Sequence, residues 1–399
     1  MALEPGQGVL LLLLTAAVVA MLTRRISLPY NVGLVAAGMI LSLLPITPKI
    51  SLTKELLYSI LLPPLLFEAA FYLRWKDLRR EFPIIVTLAT AGVVISGAVT
   101  MAGMHYLVHW PWQVAAVFGA LIAATDPVSV IATFREAQVH GRLRLLIESE
   151  SLFNDATAAV AFTVAVAIAV GQTMTPVDVG WALLTTTTGA VVIGAAVGAL
   201  ALFLVGRTED HLVELTFTMV AAYGSFLLAE AFHFSGVFAT IAAGLVMCNQ
   251  GRLGSISSRG REVVQDFWEF AAFIANSLVF LLIGMREVTQ DFAAVWTVTS
   301  IAILFVVIGR AAVVYPLCSL FVRSDLRVTM AHQNALLWGG LRGALALALA
   351  LGLPPEMPMR AEIITVSFGV VAFSVFVQGM TMTPLLRWIG EVPLARPCD

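Results

Sequence analysis

Long apolar runs separated by short polar punctuation organise this chain. Runs of roughly 17 to 25 residues, the length a helix needs to cross the hydrocarbon core of a bilayer, recur near 6–22, 29–45, 55–73, 82–107, 112–134, 145–170, 180–205, 212–231, 235–249, 267–285, 293–321, 328–352 and 361–386. The pattern predicts an all-α polytopic membrane protein of thirteen transmembrane helices, with little sequence left over for anything else.

Two of these runs carry helix breakers in their interior. The fifth contains Thr125-Asp126-Pro127, where proline removes a backbone donor and disfavours helix at the residue before it. The twelfth contains Trp338-Gly339-Gly340-Leu341-Arg342-Gly343. Such breaks survive in lipid only where protein or a water-filled cavity surrounds them. Thirteen spans divide into two six-helix halves of opposite topology joined by one linking helix, and the fifth span then corresponds to the twelfth. Interrupted helices at matching positions of inverted repeats are the sequence signature of a binding site at the bilayer midplane. A proline kink and a glycine packing face would give the same letters without any such site.

Composition supports the membrane assignment. The 399 residues are 59% hydrophobic and 12% charged, with a mean hydropathy of +0.93, against a charged fraction of about 25% in soluble domains. Basic residues alternate along the loops: seventeen lie in one set of connections, from Arg24 and Arg25 through to Arg387 and Arg396, and four (Lys49, Lys54, Arg286 and Arg360) in the other. Because positively charged short loops stay in the cytoplasm, the N-terminus is expected outside and the C-terminus inside.

Glu4 precedes the first apolar run and arginines follow it, the reverse of a secretory signal, so the segment is expected to be retained as a span,. Residues 250–265 are expected to form a cytoplasmic linker, and no regulatory domain is expected after the last span. Cys248, Cys318 and Cys398 show no metal spacing and are expected to be reduced structural thiols,. A net charge of −2 without a basic tail gives no sign of a nucleic-acid partner,. Three lysines against twenty arginines suggest a GC-rich bacterial genome and hence a prokaryotic inner membrane.

Ionisable residues inside the spans are the candidate chemistry, because a charge at the centre of a membrane helix costs about 2.5 to 3.5 kcal/mol even on the mildest insertion scale. In the sixth span, Ser151 and Asp155 stack at i,i+4, and Glu150 and Asn154 do so on the adjacent strip,. Ser151, Asp155 and Thr125 would supply oxygens to a small cation, with Glu68 reaching in from the third span; Ser151 could equally bond back to its own helix. Glu68, Asp126, Glu150 and Asp155 face only Arg310 and Arg342 within the spans, a surplus of two negative charges if all ionise. Asp126 would offset the partial positive charge of converging helix N-termini, and one arginine would hold Glu150. Asp155 is then left to hold a proton or a cation. A carboxylate withdrawn from water disfavours its bare charged form, so the two ions compete for one place, which is the basis of exchange.

At these residues the chain resembles the monovalent cation:proton antiporter family of the NhaP and sodium/proton exchanger type. The matching segments are Leu62-Pro63-Pro64-Leu65-Leu66-Phe67-Glu68, Ala124-Thr125-Asp126-Pro127-Val128, Glu150-Ser151-Leu152-Phe153-Asn154-Asp155-Ala156, Phe232-His233-Phe234-Ser235-Gly236 followed by Gly244, and Gly340-Leu341-Arg342-Gly343-Ala344. The resemblance implies a six-helix core moving against a panel that forms a homodimer, with crossed, unwound helices at the site. On this chain that gives panel helices 1–3 in 1–81, core helices 4–6 in 82–172, the linking helix 7 in 173–206, panel helices 8–10 in 207–290 and core helices 11–13 in 291–399. It further implies that Asp155 carries the ion with help from Ser151, Thr125, Glu68 and Glu150, that Arg342 pairs with Glu150, and that Asp126 offsets the helix ends. Asn154 beside Asp155 is similar to the electroneutral branch, which exchanges one cation for one proton. Arg310 stands where the family also has an arginine; a packing contact between core and panel is an equal alternative.

The expected substrates are H⁺ and Na⁺ or Li⁺ within the lipid bilayer, with no cofactor beyond the transported ions. K⁺/H⁺ exchange on the same fold is the nearest alternative. A channel would need a continuous polar pore, and an intramembrane hydrolase using Asp126 and Asp155 would need the two within hydrogen-bond reach or one water apart. Glu230 with His233 is read as an interfacial structural pair, His332 is left open in the same way, and Gly194 with Gly198 permits close helix packing.

Overall fold

The computed structural model describes residues 5–26, 28–44, 52–126, 134, 141–249, 256–288, 290 and 292–391. Pro127 lies outside the described residues, as do Lys49, Arg135, Arg252, Arg396, Cys398 and residues 250–255 of the expected linker. The elements are α1 (Pro5–Ile26), α2 (Tyr30–Leu43), a π-helical turn (Leu56–Leu61) running into α3 (Leu62–Phe71), α4 (Trp75–Val108), α5 (Trp112–Ala123), α6 (Arg142–Ala169), α7 (Pro176–Val205), α8 (His211–Ala231), α9 (Gly236–Cys248), α10 (Ser258–Glu287), α11 (Phe292–Ser319), α12 (Met330–Trp338), α13 (Ala344–Leu351) and α14 (Arg360–Phe373). A second π-helical turn (Ser374–Gly379) joins α14 to α15 (Met380–Trp388).

Among the described residues, eight helices are long and apolar enough to span a membrane, with Arg360–Trp388 counted as one, and four shorter apolar helices accompany them. The chain is therefore all-helical and multi-pass in its described residues. Its twelfth apolar run is divided, as the glycine cluster predicts, into α12 and α13. The π turn ahead of α3 ends where Pro63 and Pro64 begin, and these prolines withhold the backbone donors that a regular helix would need there.

Helix α4 packs along α11, α5 and α6, while α10 packs along α2 and α3. Helix α7 lies chiefly on α8 and α9. Its Gly194 and Gly198 receive the backbone of α9 at Ala239 and Ala243, so that small-residue stripe serves packing within the chain. The hydrophobic exteriors of α1, α7 and α8 (Leu10, Leu14, Trp181, Val192, Leu212) stay exposed, as a helix facing lipid requires.

Candidate functional site

Helix α5 ends at Ala123, and Ala124 already has extended backbone angles. Helix α12 ends at Trp338, and α13 begins at Ala344. The two unwound segments meet: the Asp126 backbone N–H donates to the Leu341 carbonyl at 2.7 Å. This bond satisfies polar backbone that no helix uses, the condition for breaking a helix at membrane depth. Gly343 is required by the approach itself, since a Cβ there would strike the Asp126 carboxylate.

Charges at this crossing match the exposed helix ends. Asp126 lies against Gly343, the residue capping the N-terminus of α13, where a negative charge is favoured by the helix dipole. Arg342, 2% exposed, donates through Nη1 to the carbonyls of Ala123 and Ala124 at 2.8 and 3.0 Å, closing the C-terminal end of α5. Arg310 does the same for α12, donating from Nε and Nη2 to the Leu336 carbonyl at 3.2 and 3.0 Å. Each interrupted helix thus has its terminal carbonyls met by a guanidinium. The sequence gives the breaks and both arginines but not this use of them.

The Glu150 partner differs from expectation. Glu150 is fully buried and bound in a bidentate pair by Arg310, with Nη1 to Oε1 at 2.7 Å and Nη2 to Oε2 at 2.8 Å. The expected pairing with Arg342 is corrected: Arg342 is engaged by the α5 carbonyls, while Arg310 projects from α11 with its fork toward α6. Arg310 thus takes the ion pair that was expected of Arg342. Asn154 reaches back to Glu150 Oε1 with Nδ2 at 3.4 Å.

Asp155 lies one turn beyond Ser151 on the same face. Thr125 donates its hydroxyl to Ser151 Oγ at 3.0 Å, so Ser151 faces the unwound segment, and the Thr125 backbone N–H bonds the Asp155 carboxylate. Asp155 is 7% exposed, its Oδ1 has no hydrogen-bond partner, and no basic side chain pairs with it, all among the described residues. Asp155, Asp126, Thr125 and Glu68 line one cavity of about 310 Å³, which continues to Arg24 and Glu269. Ser151 stands behind this wall through Thr125, and Glu150, Asn154, Arg310 and Arg342 form the layer beneath it. Of the residues read as peripheral, Glu230 accepts from Gly236 N at 2.9 Å and Tyr58 at 3.4 Å, and His332 meets Glu391 at 2.8 Å.

Crossed interrupted helices, compensated helix ends and an unpaired buried carboxylate beside a cavity define the architecture of an ion-coupled membrane transporter. Residues 10–388 match the family described as "Sodium/hydrogen exchanger, transmembrane", and the chain belongs to that family. It is 39% identical over 369 residues to the Na(+)/H(+) antiporter ApNhaP of Aphanothece halophytica, covering 92% of this chain and 70% of that protein. It is 36% identical over 375 residues to the low-affinity Na(+)/H(+) antiporter NhaS1 of Synechocystis, covering 92% and 71%. In fold it is similar to the sodium proton antiporter MjNhaP1 of Methanocaldococcus jannaschii, with a TM-score of 0.76 at 20% identity over 97% of this chain and 98% of that one.

Proposed function

We propose that the protein is a secondary active transporter that exchanges one Na⁺ for one H⁺ by alternating access, both ions competing for Asp155. The observation that carries this is the Asp155 carboxylate itself, buried, without a cationic partner among the described residues, on the wall of the cavity. Withdrawn from water, it needs a proton or a cation to be stable.

The pairing of the buried charges supports an electroneutral exchange. Glu150 and Arg310 form a neutral pair. Arg342 and Asp126 are opposite charges set on helix ends of opposite polarity. Glu68 belongs to α3 in the panel, which stays still while the core moves. The mobile core then carries one net negative charge, on Asp155, and is neutral when loaded with either ion. Asn154 adds no second charge, since it is uncharged and leans on Glu150.

Sodium bound at Asp155 would take further oxygens from Thr125 and, across the cavity, from Glu68, with water completing its shell. The cavity runs toward Arg24 at the end of α1; with the cytoplasmic orientation expected from the basic loops, we read this conformation as inward-facing. The panel helices are proposed to form the homodimer, in a prokaryotic inner membrane with the N-terminus outside.

The test is exchange in proteoliposomes loaded with a pH-sensitive dye. An imposed Na⁺ gradient should drive counterflow of protons at a rate that a valinomycin/K⁺ clamp of the membrane potential leaves unchanged. A rate that follows the clamped potential would refute the one-for-one ratio, and proton flux driven by K⁺ but not Na⁺ would transfer the assignment to K⁺/H⁺ exchange.

A further inference from the structure

Facing the unwound segments, part of the cavity wall is α10. Its residues there, Glu269, Ala272, Phe273 and Asn276, fall at i, i+3, i+4 and i+7, a single stripe of one helix face. The stripe begins with a carboxylate and ends with a carboxamide. Glu269 is exposed and accepts a hydrogen bond from the Tyr72 hydroxyl at 3.0 Å. Asn276 lies two turns further along, about 10 Å at 1.5 Å per residue, and is 5% exposed. Its Nδ2 donates to Asn31 Oδ1 at 2.9 Å, which leaves Asn276 Oδ1 with no partner among the described residues.

A buried amide oxygen without a donor costs free energy, and Asn276 stands on the wall of a cavity of about 310 Å³, roomy enough for a hydrated ion to meet it. Thr23 on α1 lines the same cavity and turns its hydroxyl proton to the Val19 carbonyl at 2.8 Å, so its lone pairs also remain as acceptors. Among the described residues on this wall, the one cationic side chain is Arg24. Oxygen acceptors graded from a solvated carboxylate to a buried carboxamide suit a monovalent cation that loses its water stepwise.

We propose that α10 carries a second cation subsite, an entry station in which Glu269 captures Na⁺ with most of its hydration shell and Asn276 Oδ1 replaces part of that shell before Glu68 and Asp155 receive the ion. This rests on the antiport assignment. The subsite acts on capture rather than on the exchange step, so its removal affects KM for the cation.

The experiment measures the Na⁺ dependence of exchange in proteoliposomes at constant ionic strength, with Na⁺ supplied on the cavity side, for wild type, Glu269→Gln, Glu269→Asp and Asn276→Leu. Glu269→Gln should raise the Na⁺ KM at least threefold and affect maximal rate less than KM. Glu269→Asp should restore the KM, and higher ionic strength should narrow the gap between Glu269→Gln and wild type. Asn276→Leu should raise KM as well; should it fail to fold, the exposed Glu269 pair still decides. An unchanged KM in Glu269→Gln, or an equal fall of maximal rate in Gln and Asp variants with KM constant, would overturn the subsite alone. Absence of Na⁺-driven proton movement in wild type would overturn the antiport assignment itself.

Discussion

Glu150 and Asp155 stand on one helix five residues apart, and both are buried, yet their surroundings are opposite. Glu150 receives a two-pronged charge-assisted pair from Arg310 and an amide from Asn154. Asp155 receives one backbone N–H and lines a cavity. A buried carboxylate whose oxygens are already filled has nothing to exchange, whereas one left short of donors takes whichever small cation reaches it. Position along α6 does not separate the two; the guanidinium from α11 does.

The largest effect should come from neutralising the second carboxylate. Asp155→Asn should abolish Na⁺-driven proton flux, below one hundredth of wild type, while the purified protein keeps or gains thermal stability because an unpaired buried charge has been removed. Residual exchange above a tenth of wild type in dye-loaded vesicles would take the carrier role from Asp155.

The first carboxylate should show the inverse pattern. Arg310→Ala leaves Glu150 buried without its partner, a change that costs about 3 to 5 kcal/mol in comparable pairs, and it also uncaps the Leu336 carbonyl. A clear fall in the melting temperature in detergent is expected. Glu150→Leu combined with Arg310→Met should recover most of that loss. If Arg310→Ala melts like wild type, the pair is not what secures α6 to α11.

How far this contrast was legible in the sequence follows from what helical periodicity encodes. Spacing put Ser151 with Asp155 and Glu150 with Asn154, and those faces recur in the structure. The breaks at Thr125 and at Gly339 to Gly343 could be read because glycine and an X-Pro step act on their own backbone. Partner choice was not legible: Arg310 lies 160 residues from Glu150, Arg342 lies farther along the chain, and both offer the same charge. Only the crossing of the unwound segments assigns Arg342 to the α5 carbonyls. The α10 stripe is not legible for a related reason: in the sequence Glu269 and Asn276 lie on an ordinary helix face, and only the cavity beside them sets them apart.

Under the proposed competition of protons and Na⁺ for Asp155, lowering the pH fills the site with protons and raises the apparent Na⁺ KM, by up to about tenfold per pH unit, the equivalent of about 1.4 kcal/mol. Raising the pH returns KM to a plateau. The limiting slope of log KM against pH should be −1, one proton displaced for each Na⁺ bound. A slope of −2 would show that two protons leave for each Na⁺ bound and would overturn the one-for-one competition.

The smallest effect concerns the hydroxyl pair that links the unwound segment to α6. Ser151→Ala removes the acceptor of the Thr125 hydroxyl, and a hydrogen bond of this kind contributes about 0.5 to 1.5 kcal/mol net. The Na⁺ KM should therefore rise about two- to twelvefold with melting temperature nearly constant. Thr125→Val breaks the same bond from the other side. If Ser151 acts through Thr125, as the 3.0 Å contact and its absence from the cavity wall imply, the double variant should cost little more than the worse single one, because coupled neighbours are non-additive. Fully additive losses would mean that each hydroxyl meets the cation separately. Ser151 would then belong with Asp155 at the ion rather than with Glu150 in the supporting layer.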